Sequence, residues 1–315
     1  MAVAVVSVVG LRKSYGPTQA VDGVSFEVAA GEIFGIVGPN GAGKTTTVEC
    51  LEGLRAPDGG EVHVLGLDPQ REGTALRERI GAQLQESALP ARMRVGEAMA
   101  LFASFYAHPL PAEGLLEELG LADRMRVAWA GLSGGQRQRL AIALALVGDP
   151  DLVFFDELTS GLDPQARRAT WDLVRGVRER GKTVVLTTHF MEEAERLCDR
   201  VMVIDHGQVV ALDSPAALIE SLGAEHRISF ACGAVGDDVL IEVVDDVLDA
   251  LRALPTVTRV ERSGDRVIAY GESDRSLAPI LGVLEGAGVA FHDLRTEQPS
   301  LEDVFLALTG REMRE

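Results

Sequence analysis

A glycine-rich turn with one lysine and three threonines lies between an apolar run and a helical pattern. Residues 38–45 read GPNGAGKT, which matches the phosphate-binding spacing G-x-x-x-x-G-K-[ST]. Glycines let the backbone approach a phosphate closely, and the following helix adds the positive end of its dipole. The lysine can reach the β- and γ-phosphates, and the first threonine can hold Mg²⁺. The stretch therefore predicts a nucleotide site formed by Gly38, Pro39, Asn40, Gly41, Ala42, Gly43, Lys44, Thr45 and Thr46.

Two adjacent carboxylates follow a second apolar run, in the segment DLVFFDEL. Asp156 is placed to hold Mg²⁺, often through water, as the second acidic element of such sites. Glu157 lies one residue further along and can accept a proton from the attacking water or orient it. Taken alone, two acids after a strand are more often solvated turn residues. The phosphate loop elsewhere in the chain favours the catalytic interpretation.

A second helix start with anion-binding character lies in the segment LSGGQRQRL. A serine and two glycines open a long helical pattern, and such a terminus binds anions. A single phosphate loop does not require it, so a symmetric pair of chains is the natural explanation. Each nucleotide would then contact the loop of one subunit and the Ser-Gly-Gly of the other, in a reciprocal C2 dimer. The residues concerned are Leu132, Ser133, Gly134, Gly135 and Gln136.

Alternating strand and helix patterns must position these groups. Short apolar runs at 152–155, 183–187 and 201–204 predict buried strands of a parallel sheet covered on both faces. Helical patterns dominate 88–145. We expect an α/β core over 1–222, with ligands at the carboxyl ends of its strands. Residues 223–315 alternate differently and predict a compact α+β accessory domain that ends in the helix SLEDVFLALTG.

The amino-acid composition limits the kinds of partner and compartment that suit this chain. The chain has 315 residues, and its 48 acidic against 30 basic side chains give a formal charge of −18. Such a surface disfavours indiscriminate nucleic-acid binding, although the acidity can equally reflect solubility alone. The three cysteines, at 50, 198 and 232, form no C-x-x-C pair, which suits a reducing cytosol. No run of 18 apolar residues occurs, so we expect a soluble chain that does not itself span a membrane.

Taken together, the motifs resemble those of the ATP-binding subunits of ABC transporters, in the family's order and from about residue 5 to 222. The resemblance implies that Tyr15 stacks on adenine and that His189 contacts the γ-phosphate. It also implies that Gln85 links the γ-phosphate and Mg²⁺ to a transmembrane partner. Gln83, two residues earlier, is the alternative residue for this role. Asp163, at the end of SGLD, would communicate across the dimer. Without the resemblance, the tyrosine would be a packing aromatic and the histidine a strand end.

The same resemblance implies the overall fold and activity. It implies a phosphate-loop NTPase core of mixed sheet, with an antiparallel β subdomain and an inserted helical subdomain at about 88–145. It further implies ATP hydrolysis with Mg²⁺, by a homodimer on the cytoplasmic face of the cell membrane that drives a separate multi-spanning permease subunit. One residue departs from the pattern: the family usually has proline after the catalytic glutamate, and this chain has Leu158. Leucine frees the backbone angle that proline would fix, so we expect at most a modest change in turnover.

The carboxy-terminal segment LRTEQPSLEDVFLALTGREMR is similar to the end of daunorubicin/doxorubicin-resistance-type ATP-binding subunits, which belong mainly to exporters. In that interpretation the accessory domain aids dimerisation or regulation; the alternative is a folded appendage without a transport role. Two other functions stay open at this point. One is a nucleic-acid or ribosome-associated ABC ATPase, which the single phosphate loop, the absence of sustained heptads and the acidity disfavour. The other is a regulatory module that binds ATP and barely hydrolyses it.

Overall fold

The computed structural model describes residues 4–83, 89–221, 226–232, 240–264, 266–271 and 276–310. The chain divides into two compact units, Met1–Pro215 with Leu308–Glu315, and Ala216–Ala307, and each is described by itself. Within the described ranges, no helix combines the length and the apolar character needed to cross a membrane. The elements in chain order are β1 (Ala4–Tyr15), β2 (Thr18–Ala29), β3 (Ile33–Val37), α1 (Lys44–Leu51), β4 (Gly59–Val64), α2 (Gly73–Arg77), β5 (Ile80–Gln83), α3 (Val95–Ala103), α4 (Ala112–Glu118), α5 (Gly134–Leu146), β6 (Leu152–Asp156), α6 (Pro164–Glu179), β7 (Thr183–Thr188), α7 (Met191–Leu197), β8 (Arg200–Asp205), β9 (Gln208–Asp213), α8 (Pro215–Ser221), β10 (His226–Cys232), α9 (Leu240–Arg252), β11 (Val257–Ser263), β12 (Arg266–Gly271), α10 (Leu277–Gly286), β13 (Phe291–Glu297) and α11 (Leu301–Thr309).

A six-stranded sheet carries the nucleotide loop. Its strand order is β5-β6-β7-β3-β8-β9, and every neighbouring pair is parallel except β8 and β9. The strands β3, β6 and β7 are buried along their whole length, as the continuously apolar runs predict for a parallel sheet covered on both faces. Because these strands run in the same direction, the segments that leave their carboxyl ends meet at one edge.

A separate three-stranded antiparallel sheet has the order β2-β1-β4. Its inner residues join the apolar core of the larger sheet, where the Phe26 and Phe34 rings stack at 5.3 Å between centroids. The predicted mixed sheet with an antiparallel β subdomain is therefore confirmed. Helices α3, α4 and α5 form the predicted helical region between β5 and β6.

The residues at the start of helix α6 show how the local sequence determines where this helix begins. Asp163 caps it by accepting hydrogen bonds from two backbone amides of the first turn, and Pro164 occupies the first helical position, where its missing N–H costs nothing. The buried stripe includes Trp171, whose indole nitrogen donates to a buried glutamate, Glu193, at 3.0 Å. The tryptophan is the largest of the buried side chains of this helix.

The second unit contains a four-stranded antiparallel sheet with the order β11-β12-β10-β13. Its chain order, β-α-β-β-α-β, is that of a ferredoxin-like arrangement. The core lies between the sheet and the helices α9 and α10, and it includes Phe230, Leu251 and Ile280. Strand β13 is different, because residues 292–297 are all exposed. Asp293 in this strand has a positive φ of 52°, and the pairing with β10 shifts register there.

Candidate functional site

The loop between β3 and α1 is enclosed by backbone on two sides. A Cβ on Gly38 would lie 2.1 Å from the Ile204 carbonyl oxygen, and one on Gly43 would lie 2.3 Å from the Ala20 carbonyl oxygen. Gly43 also has a φ of 105°, which side-chain-bearing residues rarely adopt. Both positions therefore require glycine to shape the loop, which is the close approach that a phosphate cradle needs.

Lys44 begins α1 and turns back over this loop. Its ammonium donates to the carbonyl oxygens of Gly38 at 2.8 Å and Pro39 at 3.1 Å, and it lies 3.5 Å from Glu157 Oε1. The residue is only 4% exposed. Burial lowers the pKa of the ammonium, and the negative charge of Glu157 acts in the opposite direction without cancelling this shift. A buried cation held by loop carbonyls is in place to meet incoming phosphate oxygens.

Asp156 ends β6 next to the start of α1. Thr45 Oγ1 donates to Asp156 Oδ1 at 3.4 Å, and the Thr187 hydroxyl hydrogen-bonds to the same oxygen. Burial raises the pKa of Asp156, while both hydroxyls favour its charged form. A threonine hydroxyl and a carboxylate are oxygen ligands of the kind that Mg²⁺ prefers. The described residues contain no group of three or more His, Cys, Asp or Glu that could hold a metal ion.

Glu157 is held in an uncommon backbone conformation, with a φ of 49°. Its amide donates to Thr187 Oγ1 at 3.0 Å, and Ser160 Oγ donates to its Oε2 at 3.3 Å. His189 Nδ1 lies 3.5 Å from Oε1, the same separation as the Lys44 ammonium. The carboxylate is therefore placed between an ammonium and an imidazole.

His189 follows the end of β7 and is partly exposed. Despite the 3.5 Å separation from Glu157, its Nδ1 has no hydrogen-bond partner among the described residues. A buried ring nitrogen without a partner can meet a ligand oxygen. The structure thus brings together five of the residues singled out in the sequence, Lys44, Thr45, Asp156, Glu157 and His189.

The segment LSGGQ forms a complete capping box at the start of α5. Ser133 Oγ accepts from the Gln136 amide at 3.3 Å, and the Gln136 side chain accepts from the Ser133 amide at 3.0 Å. Leu132 is buried, whereas a Cβ on Gly134 would meet nothing within 4 Å. No hydrogen bond or ion pair of the described residues joins this segment to the loop at 38–46.

Tyr15, Gln83 and Leu158 were also selected from the sequence, and the structure describes each of them. Tyr15 is 40% exposed, and its ring is approached by the Arg55 guanidinium at 5.2 Å and the Lys13 ammonium at 5.9 Å. Gln85 lies outside the described residues, and Gln83 is buried at the end of β5. Leu158 is also buried, so the leucine that replaces the family's proline is accommodated as a packed side chain.

Sequence reasoning missed two residues beside the site. Thr187 touches both acids, but a threonine near the end of a strand usually signals only β propensity. Glu52 follows α1 and is 2% exposed, and burial together with the negative charges of Asp156 and Glu49 raises its pKa to about 8. The only signal available for it was a charged residue in the otherwise apolar segment CLEGL.

The chain is similar to several known proteins. A family model described as "ABC transporter" matches residues 21–160. The "Nod factor export ATP-binding protein I" of Ralstonia nicotianae is 41% identical over 319 residues, which cover 99% of this chain and 95% of that protein. The protein of the same name from Rhizobium sp. (strain N33) is 40% identical and covers 98% of each chain. A solved structure titled "Structure of ATP binding subunit of ABC transporter" has a TM-score of 0.63 at 28% identity, over 70% of this chain and 93% of that one.

Proposed function

This chain belongs to the ABC transporter family as an ATP-binding subunit that hydrolyses ATP, and on that premise we propose that two copies of it drive a separate multi-spanning permease. The observation that carries the hydrolytic part of the proposal is the placement of the Glu157 carboxylate 3.5 Å from both Lys44 Nζ and His189 Nδ1. This arrangement puts a base between two groups that can bind phosphate oxygens.

In the proposed reaction, Glu157 orients a water molecule and accepts its proton. The water oxygen forms a bond to the γ-phosphorus as the bond from that phosphorus to the bridging oxygen of ADP breaks. Lys44 and His189 stabilise the negative charge that spreads over the transferring oxygens. Mg²⁺, held by Thr45 and Asp156 together with Gln85, would neutralise charge on the β- and γ-phosphates. Adenine would stack on Tyr15 in place of one of the cations that now border its ring.

The dimer follows from the capped start of α5. Within one chain, no bond of the described residues links Leu132–Gln136 to the phosphate loop. Ser133, Gly134 and Gly135 are therefore available to a nucleotide held by the loop of a second copy, with Asp163 close to that interface. Closure on two ATP molecules would pull on the permease, and phosphate release would reopen the pair. The second unit, with its own core, would aid dimerisation or regulation.

Export is the direction we propose. Two relatives bear names that refer to Nod factor export, and the carboxy-terminal segment is similar to that of daunorubicin/doxorubicin-resistance-type exporters. Both observations support export, but they point to different cargo. In our proposal the cargo is therefore selected by the permease. The working position would be the cytoplasmic face of the cell membrane, and the charge of −18 argues against a nucleic-acid partner.

Gly134→Asp tests the dimer directly. A Cβ at this position meets nothing within 4 Å in the chain itself, and an acid in the first helical turn favours α5. In a Glu157→Gln background, size-exclusion chromatography with light scattering should give a dimer with ATP and Mg²⁺. Adding Gly134→Asp should give a monomer that still binds ATP. Gly176→Ala, another open position in a helix, is the matched control and should remain dimeric. A dimer that persists with Gly134→Asp would refute the two-copy site.

A further inference from the structure

Glu193 is a buried acid that the proposed hydrolysis does not use. It lies in the first turn of α7, four residues after His189, and it is 2% exposed. Trp171 of α6 donates its indole N–H to Glu193 Oε1 at 3.0 Å. An acid in the first turn stabilises a helix equally well from the surface, as the exposed Glu192 does. Helix stability therefore does not explain why Glu193 is buried, and burying a carboxylate is costly.

The polar groups around Glu193 come from three segments of the chain. Burial raises the pKa of Glu193, while the hydroxyls of Thr188 and Thr159, the indole of Trp171 and the charge of Arg167 act in the opposite direction. Thr188 ends β7, Thr159 follows the proposed base by two residues, and Arg167 and Trp171 belong to α6. The carboxyl group therefore connects the end of β7, the segment after β6 and helix α6.

His189 is the middle residue of a turn that the Thr188 hydroxyl closes. Thr188 Oγ1 accepts a hydrogen bond from the Phe190 amide at 2.9 Å, across His189. Local bonds of this kind fix the backbone of a short turn. Because the hydroxyl oxygen accepts that bond, its hydrogen remains available for an acceptor, and the Glu193 carboxylate is one nearby. The backbone of His189 is thus held next to Glu193.

The imidazole ring of His189 is connected to α6 through Phe190. The centroids of the His189 and Phe190 rings are 4.1 Å apart, and the Arg167 guanidinium lies 3.9 Å from the Phe190 centroid. A cation over an aromatic face is attracted to it. The same guanidinium is attracted by the charge of Glu193. Loss of that charge would therefore weaken the placement of Arg167, and with it the support of both rings.

We propose that Glu193 is a positioning residue for His189. Its charge keeps Arg167 and the turn 188–190 in place against α6, so that the imidazole meets the γ-phosphate without rearranging. This inference rests on the proposed function, because it requires that His189 contributes to hydrolysis. A group that supports a reacting side chain in this way lowers the rate when it is removed, since the reacting side chain is then less well oriented.

The test compares two neighbouring acids in the full chain. Glu193→Gln keeps the shape of the side chain and removes its charge. Glu192→Gln is the matched control, because this acid also lies in the first turn of α7 but is 57% exposed and pairs with Arg196 at 3.0 Å. In steady-state hydrolysis at varied ATP, kcat of Glu193→Gln should fall about tenfold with KM unchanged, as for other supporting partners. Glu192→Gln should match the parent in both quantities.

A double-mutant cycle with His189→Ala separates positioning from a general structural role. If Glu193 acts through His189, adding Glu193→Gln to His189→Ala slows hydrolysis no further. If the two losses multiply, Glu193 is a structural residue and the inference is overturned. Trp171→Phe keeps an aromatic ring and removes the N–H that Glu193 accepts, so it should lower kcat in the same way. This variant carries the test if Glu193→Gln does not fold.

Histidine NMR gives a readout that does not depend on the rate. The ring signal of His189 is identified by its absence in His189→Ala. It should move in Glu193→Gln and stay in place in Glu192→Gln, and this comparison decides the question if His189→Ala has no measurable activity. A His189 signal or a kcat that Glu193→Gln leaves unchanged would overturn the inference and leave the proposed function intact. If His189→Ala hydrolyses ATP as fast as the parent, the proposed role of His189 fails, and this inference fails with it.

Discussion

The Thr187 hydroxyl accepts a hydrogen bond from the Glu157 amide at 3.0 Å. The same hydroxyl hydrogen-bonds to Asp156, with which Thr187 is paired in register between β6 and β7. One side chain therefore sets the positions of two neighbouring acids with different proposed tasks. The positive φ of Glu157 is maintained by this bond and by a second one to the Thr187 carbonyl oxygen at 3.2 Å.

Thr187→Val should lower turnover without abolishing ATP binding. Valine keeps the shape of threonine and removes the hydroxyl, so both acids lose an orienting contact, and kcat should fall about 10- to 100-fold, the usual range for such supporting partners. Steady-state hydrolysis at varied ATP measures kcat and KM separately. Thr183→Val, at the other end of the same strand, removes a hydroxyl that accepts from Gly31 and should leave kcat unchanged. Equal losses for both variants would mean that only the stability of β7 is involved.

Glu157→Gln should abolish most hydrolysis while leaving ATP affinity intact or improved. The amide cannot accept the water proton, and removal of a general base typically costs about 10²- to 10⁴-fold in rate. It also removes the charge next to Lys44, so the ammonium is left to the phosphates. Phosphate release and nucleotide binding by calorimetry give the two quantities. A variant as fast as the parent would show that another group positions the water.

Asp163 has a structural task that can be separated from its proposed role across the dimer. Its carboxylate caps α6 through the Gln165 and Ala166 amides at 3.0 and 2.9 Å. Asparagine caps helices about as well as aspartate, whereas alanine costs about 1 kcal/mol. Asp163→Ala should therefore lower the thermal midpoint, and Asp163→Asn should not. If Asp163→Asn hydrolyses ATP more slowly at unchanged stability, the negative charge of Asp163 acts between the subunits. If hydrolysis is unchanged, Asp163 only caps the helix.

Glu52 should make the stability of the isolated chain depend on pH. Its pKa is raised from 4.5 to about 8, so between these values the folded chain holds a proton that the unfolded chain has released. The free energy of unfolding therefore falls as pH rises from 4.5 to about 8, by about 1.4 kcal/mol per pH unit. Glu52→Gln and the parent should unfold at similar temperatures at pH 5, and the variant should be the more stable at pH 9. A constant difference between the two proteins across this range would contradict the burial of an unpaired acid.

The order of strands and helices could be predicted from the sequence because apolar periodicity and glycine-rich turns are local signals. The neighbourhood of Lys44, Thr45, Asp156 and Glu157 also followed, since parallel strands bring their carboxyl ends to one edge. The resemblance to the transporter family added His189 to this group. The contacts of Thr187 and Glu52 could not be predicted in this way. Each depends on which strand or helix end lies opposite, and neither residue type is unusual where it stands. The position of Gln85 stays a prediction because that residue lies outside the described ranges.

Strand β13 forms one edge of the four-stranded sheet in the second unit. An open strand edge ordinarily invites pairing with a foreign strand, and proteins discourage this with charges and irregular backbone. Here Asp293 sits at the register shift and is bound by Arg295 at 3.0 Å and by Arg266 of β12. This edge is consequently a poor template for joining chains into a continuous sheet. A contact that the second unit makes on the β13 side would therefore use side chains rather than added strand pairing, so this strand carries little risk of fibrous association between copies.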